Sequence, residues 1–100
     1  MNSYVILRCA GWASAADLEK SAGISARVAN DEMPADIRWI RSYVTNHADG
    51  RLGTVCVYEA TSIEAIHEHA RRARLPITEI HPVRTTVIIN EDSPAAADAA

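Results

Sequence analysis

Tyr4, Val5, Ile6 and Leu7 open a short β-branched run that ends at Ala10 and Gly11 and reads as a first strand. Ser14 stands three residues before Asp17, an N-cap with an acid in the first turn. Leu18, Ala22, Ser25 and Val28 then recur at helical spacing, so a helix is predicted over residues 15–30, closed by Asn30, Asp31 and Pro34. Residues 37–44 switch to alternation, with Ile37, Trp39, Arg41 and Tyr43 on one face and Arg38, Ile40, Ser42 and Val44 on the other. A turn carrying Asp49 and Gly50 leads into a second alternating run over 54–60. Val55 and Val57 share one face of it, and Thr54, Cys56 and Tyr58 share the other. Thr61 and Glu64 form a capping box ahead of a helix that turns Ile63, Ile66, Ala70 and Ala73 inward and stops before Pro76. A last strand is expected over 80–89, and Pro82 near its start places it at a sheet edge.

The order β-α-β-β-α-β predicts an α+β protein, a ferredoxin-like βαββαβ sandwich, as one domain over 1–90 with a disordered C-terminal tail over 91–100. Helices cover only one face of such a sheet, so the other must meet water, a ligand or a second sheet. The β-branched positions Val55, Val57, Ile40 and Val44 are expected under the helices. Trp39, Arg41, Tyr43, Cys56 and Tyr58 would then share the uncovered face. An aromatic surface of that size marks an interface or a pocket. Two such faces together would build a dimeric α+β barrel, whose interior either glues the dimer or forms a ligand cavity.

Composition strengthens the expectation of a homodimer. The apolar share is 48%, but much of it is alanine and phenylalanine is absent, which leaves a core thin on large side chains. Net charge is −3, whereas a nucleic-acid binder presents a basic face; Arg71, Arg72 and Arg74 read as a solvated helix end. No run approaches the length of a membrane span, and no leader pattern is visible. Two cysteines, Cys9 and Cys56, do not make a disulfide scaffold, so the expected compartment is cytoplasmic with both thiols reduced.

No phosphate loop, nucleophile elbow, paired-carboxylate signature or CxxC motif is present, and no catalytic constellation is complete. His67 and His69 are two apart on a helix and face away from each other, so a metal at His69 needs ligands from a strand, a loop or a partner chain. His47 lies in the hairpin turn and His81 opens the last strand. Each alone reads as solvated, yet in a two-fold dimer such histidines from two chains can converge on one ion. Cys56, between Val55 and Val57, is either a small core hydrophobe or a soft metal ligand. Glu59 and Glu64 bracket the start of the second helix as solvated or capping groups.

Trp39, Ser42, Tyr43, Val44 and Thr45, then Cys56, Tyr58, Glu59 and Ala60, then His69 and Ala70 before Pro76, resemble a small bacterial family of uncharacterised domains. That family includes nickel-responsive and nickel-binding proteins. The resemblance spans about residues 3–90 and implies a dimeric ferredoxin-like protein that binds nickel or another divalent metal. On this reading His69, supported by Glu59 or Cys56, holds the ion, and the protein acts as a sequestering or sensing module. The alternative is a small-molecule binder or enzyme of the dimeric α+β barrel type. Trp39, Arg41, Tyr43 and Tyr58 would then line the pocket, Arg41 would hold an anion and His69 would serve as general base.

Overall fold

The computed structural model describes residues 1–93, and each element forms near where its pattern places it. In order these are β1 (Asn2–Trp12), α1 (Ala15–Arg27), β2 (Ile37–Asn46), β3 (Leu52–Ala60), α2 (Ile63–Ala73) and β4 (Glu79–Pro82). Ser14 caps α1, its hydroxyl accepting the Asp17 N–H at 3.2 Å, and the helix runs on through a wider π-type turn over Val28–Glu32. α2 begins one residue later than the capping box predicts. Ser62 accepts the Ala65 N–H at 3.2 Å, while the Thr61 hydroxyl donates to Asp36 at 3.4 Å. Serine is the better cap of the two adjacent hydroxyl residues, and the tie of Thr61 to Asp36 favours it further. Arg74 then takes a left-handed conformation, φ 55°, and ends α2 ahead of Pro76.

The strands form one antiparallel sheet in the order β2-β3-β1-β4, the arrangement of a ferredoxin-like α+β fold. β4 lies at an edge, as Pro82 requires, but it is far shorter than the expected 80–89. The reason is its neighbour. Tyr4 pairs with Pro82 and the Val83 N–H reaches the Ser3 carbonyl at 2.9 Å, yet β1 begins at Asn2, so the partner runs out. Residues 83–93 continue without regular structure, and residues 83–92 border the uncovered sheet face. The last seven residues of the expected tail lie outside the described residues.

The two faces of β3 are the reverse of the sequence expectation, whereas Val44 of β2, paired with Thr54, lies on the covered side as expected. Tyr4, Ile6 and Arg8 of β1 stand opposite Tyr58, Cys56 and Thr54 of β3, and all six are buried beneath the helices. Val55 and Val57 lie on the uncovered face instead. Alternation says which residues share a face but not which face is covered. β2 adds a second correction, because it carries a bulge between Trp39 and Arg41. Trp39 pairs with Tyr58 on the covered side, while Arg41 and Tyr43 pair with Val57 and Val55 on the open side. The expected grouping of Trp39, Arg41, Tyr43, Cys56 and Tyr58 on one open face is therefore split in two.

A further bulge interrupts β1 between Arg8 and Trp12, where Ala10 has φ 49°. The β2–β3 hairpin secures it. His47 Nε2 accepts the Ala10 N–H at 3.4 Å and Arg51 Nε donates to the Ala10 carbonyl at 2.8 Å. Among the described residues no helix is long and apolar enough to cross a membrane.

Candidate functional site

The covered side of the sheet assembles one polar cluster inside an apolar core. β3 brings Tyr58 to its centre, α1 brings Ser25 and α2 brings His69, each at most 2% exposed. The Tyr58 and Ser25 hydroxyls are 3.0 Å apart. His69 Nε2 donates to the Ser25 carbonyl at 3.1 Å and lies 3.4 Å from the Ser25 hydroxyl. Trp39 stacks parallel to Tyr58 at 6.0 Å between centroids, and the His69 ring is tilted by 55° to that of Tyr58 at 5.3 Å. Arg8 completes the group, its guanidinium carbon 5.9 Å from the centre of the Tyr58 ring.

Burial holds the charged forms of these groups down. The Tyr58 phenol is pushed above its ordinary value by desolvation, against the opposing hydrogen bond to Ser25. The His69 imidazole is pushed below 6.5, first by desolvation and with the Arg8 charge acting in the same direction, against the bond to the Ser25 carbonyl. His69 is therefore neutral in the fold, whereas the unfolded chain takes up a proton near pH 6.5. Its contribution to stability is complete above that pH and is lost as pH falls toward the lower folded value. Thermal melts from pH 7.5 to 5.0 should show a falling midpoint in the wild type and a shallower fall in His69→Gln. The carboxylate of Glu68, held at about 2 by Arg71 and Arg72, acts in a separate and more acidic window.

The sequence candidates for a metal do not converge. His69 is committed to Ser25, and the Cys56 thiol donates to the Thr54 hydroxyl at 3.2 Å. Glu59 lies out of reach of that cluster and pairs with Arg38 at 2.8 Å. Among the described residues no three His, Cys, Asp or Glu side chains stand close enough to hold an ion. Cys9 is exposed, Cys56 is buried and both are free thiols. Of the pocket candidates, Trp39 and Tyr58 lie together beneath the helices. Arg41 and Tyr43 meet only on the open face, where the Tyr43 hydroxyl donates to Asp92 at 2.7 Å and Arg41 pairs with it at 3.5 Å.

Sequence reasoning missed Arg8, Ser25 and Glu79, the partner of His81. Arg8 was visible in principle, since it continues the alternation of Tyr4 and Ile6 to the same face. Ser25 reads as an ordinary helix residue because only the tertiary fold brings it to Tyr58. Glu79 lies on β4 opposite Leu7, beside the candidate His81 opposite Val5, on the open face. Their side chains meet at 3.1 Å, each more than half exposed.

A model of the family described as nickel responsive protein SCO4226-like matches residues 4–83. The crystal structure of SCO4226 from Streptomyces coelicolor A3(2) superposes with a TM-score of 0.66 at 21% identity, covering 85% of this chain and 99% of that one. At that identity the likeness speaks for the fold alone. No curated protein sequence matches the chain.

Proposed function

The chain belongs to the SCO4226-like family of nickel-responsive proteins, and from that premise we propose that it responds to nickel, or a related divalent ion, by holding it between two copies of the chain. The observation that carries the reading is the Glu79–His81 pair, two exposed donors 3.1 Å apart on the uncovered sheet face. Imidazole and carboxylate are both acceptable to nickel. One chain supplies only two of them, short of a closed site. A two-fold axis through this face doubles the set to four.

The character of the face supports pairing. Val5, Leu7, Val55 and Val57 are only half-buried there, and Tyr43 is 45% exposed. Beside them Val87, Ile88 and Ile89 stand 77%, 63% and 83% exposed. Contiguous apolar surface of this kind marks an interaction site in a soluble protein. In this reading His69 and Cys56 are structural groups of the core, and Glu59 serves its ion pair with Arg38. The choice of nickel rests on the family, because imidazole binds copper and zinc as readily.

Calorimetric titration with nickel tests the assignment. The expected wild-type stoichiometry is one ion per two chains, and His81→Ala should weaken binding by at least about tenfold, ~1.4 kcal/mol. Glu79→Gln should weaken it in the same direction. A His81→Ala protein that titrates like the wild type would remove the pair from the site.

A further inference from the structure

Arg8 presents a charge that the protein itself leaves unanswered. The residue is 1% exposed, and Nη1 donates to the Pro76 carbonyl at 2.8 Å. Nη2 is buried with no hydrogen-bond partner, and no carboxylate among the described residues forms an ion pair with this guanidinium. A buried, unpaired cation is costly, and arginine is the residue best suited to a planar, two-oxygen partner. Stacking over Tyr58 offsets only part of that cost.

A chamber of about 80 Å³ lies against it, between α1 and β2. Trp12, Leu18, Trp39 and Leu75 wall it, Ser42 and Thr54 add hydroxyls, and no acidic side chain lines it. Leu18 and Ser42 are half-buried and Val44 is exposed, so the chamber opens to solvent on that side. Arg8 is the one charged side chain in that lining, so the field within is positive. We propose that this chamber binds a small monocarboxylate, with its carboxylate on Arg8 and a short apolar tail against the two indoles.

The size of the chamber restricts the ligand to a few heavy atoms, the range from acetate to butyrate. A tetrahedral oxyanion fits poorly, because its remaining oxygens would be turned against apolar walls. The site is separate from the open face and does not rest on the nickel reading.

Propionate is the probe, used with metal-free protein in the presence of a chelator. Sodium propionate should raise the melting midpoint saturably, beyond sodium chloride at equal ionic strength, and should perturb the indole fluorescence of Trp12 and Trp39. Arg8→Met should fold, because an apolar chain replaces an unpaired buried charge, and should lose at least about tenfold in propionate affinity. Ala22→Leu, which keeps Arg8 but fills the chamber, should lose the response as well and decides the matter if Arg8→Met does not fold. The proposal is overturned by a wild type that gives no saturable shift up to about 50 mM propionate. It is equally overturned by a shift that survives Ala22→Leu or that inorganic phosphate reproduces.

Discussion

Gly53→Ala should lower stability by roughly 3 kcal/mol, and the melting midpoint by more than about 10 °C. Gly53 sits in β3 where the bulge of β1 crosses it. A Cβ there would lie 2.6 Å from the Arg8 carbonyl oxygen, 2.6 Å from His47 Nε2 and 2.9 Å from the Ala10 nitrogen. Two of these are backbone atoms that cannot step aside without moving the strand. The third is the nitrogen through which His47 holds the bulge, so relief of the clash also loosens the clamp on Ala10. Gly50 and Gly23 serve as internal controls, since an added Cβ meets nothing within 4 Å at either. Gly50→Ala should cost about 1–2 kcal/mol, because its φ of 85° disfavours a side chain. Gly23→Ala, inside α1, should stabilise by up to about 1 kcal/mol. Urea denaturation of the three variants checks both size and sign. A Gly53→Ala protein as stable as Gly50→Ala would mean that β1 and β3 are not packed as described.

Tyr58→Ala should cost about 4 kcal/mol, close to the limit for removing a buried aromatic ring. Tyr58 is 1% exposed, and its ring is the common wall of Trp39, His69 and Arg8. Removing it strips three neighbours of their contact and leaves the Arg8 charge with no aromatic face above it. Tyr58→Phe keeps the ring and deletes only the hydroxyl bonded to Ser25, so it should cost about 1 kcal/mol. The Ser25 hydroxyl keeps His69 Nε2 at 3.4 Å as a second neighbour, which limits the loss. Chemical denaturation of both variants measures the gap. Similar losses for the two would shift the weight from the ring to the hydroxyl network.

The order of elements was legible because each carries its own period and punctuation: Ser14 before α1, Asp49 and Gly50 in the hairpin, Pro76 after α2. The orientation of the sheet was not. Tyr4, Ile6 and Arg8 alternate with Val5 and Leu7, and β-branched residues look like the buried set until the register with Tyr58 and Cys56 is known. A one-residue bulge in β2 then reverses Trp39 relative to Arg41 and Tyr43, and no local signal marks it. The end of β4 was equally hidden, because the length of a strand depends on where its neighbour starts. The burial of His69 was not legible either, since helical spacing places it beside the apolar stripe. Its burial follows from α1 delivering Ser25 as a partner, which is a long-range event. The pairing of His81 with Glu79 rests on two residues of one face, visible by alternation but uninformative until that face is known to be uncovered.

Native mass spectrometry of the metal-free protein titrated with nickel tests the central claim most directly, because it counts chains and ions in the same particle. The account predicts a species of two chains carrying one nickel ion, absent or much reduced for His81→Ala. Nickel found only on single chains, or a dimer whose nickel content is unchanged by His81→Ala, would contradict it.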